Sequence, residues 1–275
     1  MPEGPEIWRA ADKLSDAIAG KEIEEVFFAF DELKPFEQQL TGLKIDSITP
    51  RGKAIVTAFG NNLNLYSHNQ LYGKWMISKN GSEPDTNRSL RVAIHTSDSS
   101  AFLYSASEIE ILKDDEVEQH SYIKKLGPDV VHPETTYEEV LKRYQSSTFK
   151  NRKLSTLLLD QGFLSGLGNY LRSEILFCSG VDPEFRPKDC SEEQIEALAE
   201  NSLELSQRSY KTGGLTTPDD LVKALKEEGA SRKQYRHYTY GRAGKPCYKC
   251  GKEIMVMETG GRKIYYCKTE QKSMN

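Results

Sequence analysis

The apolar residues of this chain change their spacing once, and the change falls near Gly127-Pro128-Asp129. From about residue 23 to 112 they come in short β-branched or aromatic runs at 26–30, 45–48, 54–59, 63–66, 75–77, 90–95 and 102–104. Gly52, Gly60-Asn61-Asn62 and Asn80-Gly81 punctuate those runs as turn residues do. This pattern predicts an antiparallel all-β unit, a sandwich. One helix precedes it over 6–19, where Ile7, Ala10/Ala11, Leu14 and Ala17/Ile18 share a face between Pro5 and Gly20. After the change the spacing is helical, over 135–147, 153–161, 169–179, 191–208 and 217–227. Asp114-Asp115-Glu116 and the Gly-Pro pair mark a polar crossing, so the boundary belongs at 120–130. A third unit over about 235–275 carries Cys247, Cys250 and Cys267 among Gly, Lys and aromatic residues.

The 275 residues fit about two domains at roughly 150 residues each. The longest apolar runs, such as 26–30 and 157–159, fall far short of the roughly 20 residues that cross a bilayer. No basic, apolar leader follows the acidic, proline-rich start, and five cysteines are an odd number. The expectation is a cytoplasmic chain without a disulfide framework. A net charge of −4 argues against a polyanionic partner only as an average. Residues 231–275 hold eleven Lys/Arg against three acids, a charge of +8, and the other 230 residues carry −12. A basic tail on an acidic body suits a phosphate-binding footprint or plain solubility, and charge alone does not choose.

Three places can carry chemistry. If Met1 is removed, Pro2 presents a secondary α-amine, and α-amines titrate near pH 8, so a neutral fraction exists at pH 7. A neutral amine attacks an aldehyde-level carbon to form an iminium ion, and Glu3 beside it can move protons. Taken by themselves, Pro2 and Glu3 fit an ordinary chain start equally well. The second place is Leu157–Arg172, two apolar helices joined by a glycine-rich double turn. Gly166 and Gly168 allow close backbone approach, and Asn169 opens a helix whose free N–H groups suit a phosphate. A plain helical hairpin is the other reading. The third is Cys247-Tyr248-Lys249-Cys250 with Cys267 sixteen residues on, a spacing that points to structural zinc. A complete site would have cysteine at 270, where this chain has Glu270. Glu270 or His237 is a candidate fourth ligand, and a metal-free hairpin is the third possibility. Cys178 and Cys190 read as small hydrophobes.

In this order and combination, the segments resemble the formamidopyrimidine-DNA glycosylase/endonuclease VIII family of base-excision repair enzymes. The resemblance runs from Pro2 to about Gln271 and is nearest the endonuclease VIII branch. Residues 1–7 look like that family's start, and Arg51-Gly52-Lys53-Ala54 like its lysine-bearing β-turn. The segment 66–73, Tyr-Ser-His-Asn-Gln-Leu-Tyr-Gly, is similar to the loop that enters the DNA stack. Residues 160–172 look like its helix–two-turns–helix, and 240–247 like the lead-in to its zinc finger.

The resemblance implies an α+β multidomain chain. A catalytic antiparallel β-sandwich with a leading helix takes 1–125, a helix–two-turns–helix DNA-binding domain 126–234, and a zinc-finger β-hairpin lacking its fourth cysteine 235–275. It implies that Pro2 attacks C1′ of the damaged nucleotide, that Glu3 moves protons at the sugar, and that Lys53 handles phosphate. Gln70, Leu71 and Tyr72 match the triad that fills the gap left by the everted base. Asn169 and Arg262 match phosphate ligands, and Cys247, Cys250 and Cys267 would hold one structural Zn2+. The bland counterparts are a turn lysine at 53, core residues of a hairpin at 71 and 72, and a solvated arginine at 262. The implied activity is removal of oxidised bases from damaged double-stranded DNA, followed by β,δ-elimination, by a nucleoid-associated bacterial monomer. Gln-Leu-Tyr points to oxidised pyrimidines, whereas 211–217 and 240–244 also resemble the formamidopyrimidine branch. The competing readings are a non-catalytic damaged-DNA-binding protein of the same fold and a zinc-hairpin adaptor for protein partners.

Overall fold

The computed structural model describes residues 2–79 and 81–271. Met1, the first residue of the expected Asn80-Gly81 turn, and Lys272 of the basic tail lie outside the described residues. The chain forms two compact units: Met1–Pro2 with Glu6–Lys125, and Glu3–Pro5 with Leu126–Asn275.

Helix α1 (Gly4–Ile18), in the first unit from Glu6 on, is followed by β1 (Glu25–Phe28), α2 (Pro35–Leu40), β2 (Ile45–Arg51), β3 (Ala54–Phe59), β4 (Leu63–His68) and β5 (Lys74–Ser78). Then come β6 (Leu90–His95), β7 (Ser100–Tyr104), β8 (Glu108–Lys113) and α3 (Asp114–Val117). The strands make two four-stranded antiparallel sheets, in the orders β1-β6-β7-β5 and β2-β3-β4-β8. Val26 and Phe28 from one sheet share a core with Ile55, Phe59 and Leu65 from the other, and this makes the pair a sandwich. Ile7, Ala11, Leu14 and Ile18 bring one face of α1 into that core, as their spacing predicts. The run Ala54-Ile55-Val56 has no polar alternation because β3 is covered twice. Ile55 faces the sandwich, and Ala54 and Val56 face a second cluster with Tyr66, Val117 and Ile123.

The second unit contains α4 (Tyr137–Gln145), α5 (Leu154–Leu157), α6 (Asn169–Cys178), α7 (Glu192–Lys211), α8 (Asp219–Glu227) and α9 (Arg232–Tyr235). The antiparallel hairpin of β9 (Met255–Thr259) and β10 (Arg262–Tyr266) follows. Helix α6 is buried from Tyr170 to Phe177, Arg172 and Glu174 included. A buried carboxylate persists only if its oxygens are satisfied, and Glu174 accepts five hydrogen bonds. Three come from the amides of Tyr238, Thr239 and Tyr240 at 2.6, 2.8 and 2.9 Å. The hydroxyls of Thr216 and Thr239 add two at 2.7 and 2.9 Å. Glu174 thus ties the lead-in of the cysteine-bearing hairpin to α6.

Some expectations need correction. The helix expected over 153–161 is helical only over Leu154–Leu157, because the Asp160 carboxylate accepts the Gly162 amide at 2.8 Å and turns the chain. The strand expected over 26–30 ends at Phe28. Helices α2, α3 and α9 and strand β8 lie outside the expected spans. Helix α2 starts with Pro35 at its first position, and β8 is an edge strand whose glutamates hide the alternation that buries Ile109.

Substituting alanine for Glu174 leaves five donors facing a buried gap. E174A is expected to lose at least about 3 kcal/mol in denaturant unfolding, and E174Q less, because the amide keeps one acceptor. An unchanged midpoint for E174A would contradict this account.

Candidate functional site

The first unit holds Pro2, Lys53 and the loop 69–73. Pro2 is half-buried and lines a recess of about 680 Å³ together with Glu6, Asn69, Leu71, Tyr72 and Arg88. Leu71 and Tyr72 are 54% and 68% exposed. These values exclude the hairpin-core reading, since core residues are not left in water. The loop folds back on itself: the Gly73 amide donates to the Asn69 carbonyl at 2.7 Å, and a Cβ at 73 would lie 2.5 Å from that oxygen. Lys53 sits after Gly52, whose φ of +60° makes the β2–β3 turn. It is 7% exposed, and its amide donates to the Tyr122 hydroxyl at 2.9 Å, so it is not a solvated turn lysine. His68 ends β4 with its ring 5.1 Å from that of Tyr122. Burial pushes the His68 pKa down, the Lys53 ammonium adds to this, and Glu108 opposes it.

The second unit holds Glu3, Asn169, Arg262 and the cysteines. Glu3 is 2% exposed, and its carboxylate accepts the amides of Tyr170 at 2.8 Å and Leu171 at 3.3 Å. These are the free N–H groups at the start of α6, where an anion is favoured. The expectation of a phosphate on those groups is therefore corrected: the anion is the chain's own. The glycines serve the same seat. A Cβ at Gly168 would lie 2.4 Å from Glu3 Cδ, and one at Gly4 would lie 2.8 Å from Gly166 Cα. The Gly4 amide donates to the Gly166 carbonyl at 2.7 Å.

Arg172, two residues before Glu174, was missed as a functional residue although it closes the same motif. Its buried guanidinium donates to Asn169 Oδ1 at 2.6 Å and to the Lys263 carbonyl at 2.9 Å. Asn169 is half-buried. Arg262 is exposed at the hairpin tip, directly after Gly260 and Gly261, both of which have positive φ and turn the hairpin. Burial lowers the Arg172 pKa to about 10, and Arg262 adds to the shift by repulsion. Arg172 thus ties Asn169 to the backbone of Lys263, the residue after Arg262.

The sulfur atoms of Cys247, Cys250 and Cys267 lie within 4.8 Å of one another, and the Cys250 and Cys267 sulfurs are 3.5 Å apart. Tetrahedral thiolates around zinc are spaced by about 3.8 Å, so the three fit a metal ion. Burial pushes the Cys267 thiol up, but the amides of Glu270 and Thr269 and the neighbouring cysteines outweigh it and lower its pKa. Amides aimed at a sulfur suit a thiolate ligand. Neither proposed fourth ligand belongs to this group of mutually close ligand atoms. His237 is engaged elsewhere, with Nδ1 3.0 Å from the Thr216 hydroxyl and its ring 5.0 Å from Tyr170. Glu270 offers its backbone amide to Cys267.

Residues 1–107 match the formamidopyrimidine-DNA glycosylase N-terminal domain, and residues 126–220 match the formamidopyrimidine-DNA glycosylase H2TH domain. Endonuclease 8 of Escherichia coli (strain K12 / DH10B) is 45% identical over 267 residues, 97% of this chain and 98% of its own length. Endonuclease 8 of Salmonella arizonae is 46% identical over 272 residues, 99% of this chain and 100% of its own. The Lactococcus lactis Fpg, solved with DNA containing an abasic site, superposes with a TM-score of 0.80 at 24% identity, covering 98% of this chain and 99% of that one. The chain belongs to the formamidopyrimidine-DNA glycosylase/endonuclease VIII family. Relatives that span it nearly end to end carry the name Endonuclease 8, so a non-catalytic DNA-binding reading is not favoured. No helix among the described residues is long and apolar enough to cross a membrane.

Replacing Gly168 by alanine sets a methyl group against the end of the Glu3 side chain. G168A is expected to speed amide hydrogen exchange at Tyr170 and Leu171 by about 10- to 100-fold, the range for losing a hydrogen bond to a charged group. Unaltered exchange at both amides would mean that Glu3 keeps its seat without the glycine.

Proposed function

We propose that this chain is a bifunctional DNA glycosylase and abasic-site lyase of base-excision repair. The observation that carries the reading is the shared recess: Pro2 opens onto the same cavity as the exposed Leu71 and Tyr72. A nucleophile and an apolar wedge on one surface suit an enzyme that must lift a base from the stack before it reaches the sugar. The relatives named Endonuclease 8, and the Fpg solved with DNA containing an abasic site, support damaged DNA as the substrate.

Removal of Met1 frees the Pro2 nitrogen, which attacks C1′ and displaces the damaged base. The sugar opens to an iminium ion linked to Pro2. Loss of a C2′ proton then drives β-elimination, and a further elimination breaks the strand on the other side. Glu3, anchored on the start of α6, moves protons at the sugar, since its seat favours the carboxylate that accepts them. Lys53, held by its turn and Tyr122, contacts phosphate and assists proton transfer. Gln70, Leu71 and Tyr72 fill the vacated stack, and Asn169 and Arg262 bracket the lesion through its phosphates. In this reading 1–125 is catalytic, 126–234 binds DNA, and 235–275 is the finger that displays Arg262. Cys247, Cys250 and Cys267 hold one zinc ion, whose contribution is structural. The three-residue wedge favours oxidised pyrimidines, and the chain works as a cytoplasmic monomer.

Borohydride added to the processed chain with abasic-site duplex should trap a covalent protein–DNA adduct, and P2T should abolish it. No adduct from the parent, or an undiminished one from P2T, would falsify the assignment. Excision of thymine glycol is expected to exceed that of 8-oxoguanine, and the reverse order would move the chain to the purine-directed branch. Purified without chelators, the parent should carry about one zinc per chain and C250S much less. A parent near zero removes the zinc reading while leaving the glycosylase intact.

A further inference from the structure

Gln70 combines two features that rarely coincide. It is exposed, yet its backbone amide and both polar ends of its side chain are held. Its φ is +48°, a left-handed conformation that side chains other than glycine's seldom adopt. Its amide N–H donates to His68 Nδ1 at 3.2 Å, its side-chain Nε2 donates to Glu108 Oε2 at 2.9 Å, and its Oε1 accepts from the Ser107 hydroxyl at 2.6 Å. Glu108 is itself steered, because its Oε1 accepts the hydroxyl of the fully buried Tyr66 at 3.2 Å. At the far side of the loop, Arg88 donates to the Tyr72 carbonyl. Leu71, between these two braces, is left bare.

A free surface glutamine samples many rotamers, and fixing one costs up to about 2 kcal/mol. Two partners on the exposed side chain, with a third on the backbone amide, supply that ordering before any ligand arrives. We infer that Ser107 and Glu108 are positioning residues for the wedge. They hold Gln70 in the conformation that presents Leu71 outward, so the loop meets DNA already shaped. The inference rests on the reading of 70–72 as a wedge. It adds that β8 and the turn before it, neither part of the loop, set its efficiency. Neither residue touches the reacting atoms, and both act through Gln70.

The test is a double-mutant cycle on kcat/KM for excision of an oxidised pyrimidine from duplex DNA. E108A and S107A should each lower kcat/KM by about 3- to 10-fold with Gln70 present, the size of one lost hydrogen bond. In a Q70A background each should change it by less than about 2-fold. E108Q should keep close to the parent value, since its amide oxygen still accepts from Gln70. S107A guards against misfolding, because E108A also strips the buried Tyr66 hydroxyl of its acceptor. Equal losses in both backgrounds would make the effect generally structural and overturn the inference. So would no loss, or a gain showing that the contacts restrain Gln70 instead of presenting it. A parent chain that excises no base at all would overturn the underlying reading, a result distinct from any of these.

Discussion

The Glu3 carboxylate on the first amides of α6 is the contact around which the second unit is arranged. A helix start leaves amides without partners, and an anion there is stabilised by the hydrogen bonds and by the helix dipole. Seating a side chain from the N-terminus of the chain requires the backbone to come very close. Gly4 against Gly166, and Gly168 against the Glu3 side chain, leave room for nothing larger than hydrogen. The place of this carboxylate is thereby set by an internal helix.

From this end of α6 the polar contacts run inward. Arg172 is fully buried and divides its hydrogen bonds among Asn169, the Ser155 carbonyl and the Lys263 carbonyl. Two residues further, Glu174 gathers the lead-in at Tyr238–Tyr240. A buried arginine and a buried glutamate on one helix would be costly unless satisfied, and the C-terminal segment supplies most partners of Glu174 and one of the three of Arg172. Part of that segment's position is therefore set by the charges it covers. Ser173 adds a further tie, accepting the Tyr265 amide at 3.3 Å.

How far the sequence revealed this depended on whether a feature was local. The β-unit could be read because Ala54–Phe59 and Leu90–His95 are short apolar runs between turn residues, and α1 because its stripe is regular. The cysteines could be read because ligand spacing is local too. Edge strand β8 escaped because Glu108 and Glu110 are poor strand formers, placed where one side of the strand has no neighbour. The glycines at 166 and 168 were recognised as sites of close approach, but not for what. Their partners Gly4 and Glu3 lie more than 160 residues away, and no periodicity connects them. Arg172 and Glu174 escaped for a similar reason: on a helix that is buried all round, charged residues read as solvent-facing until their partners are known.

The hairpin shows why a missing cysteine need not displace Arg262. Three thiols converge without a fourth, and the segment after them is held by other means. Gln271 is 1% exposed; its Oε1 accepts the Cys267 amide at 2.9 Å and its Nε2 donates to the Val181 carbonyl at 2.9 Å. A buried glutamine with both ends satisfied fixes a chain as a ligand would, although it holds a chain carbonyl instead of an ion. Together with the ties from Arg172 to Lys263 and from Ser173 to Tyr265, it anchors both ends of β10 to the helical body. The tip that carries Arg262 is thus positioned by hydrogen bonds that remain when position 270 contributes no side-chain ligand.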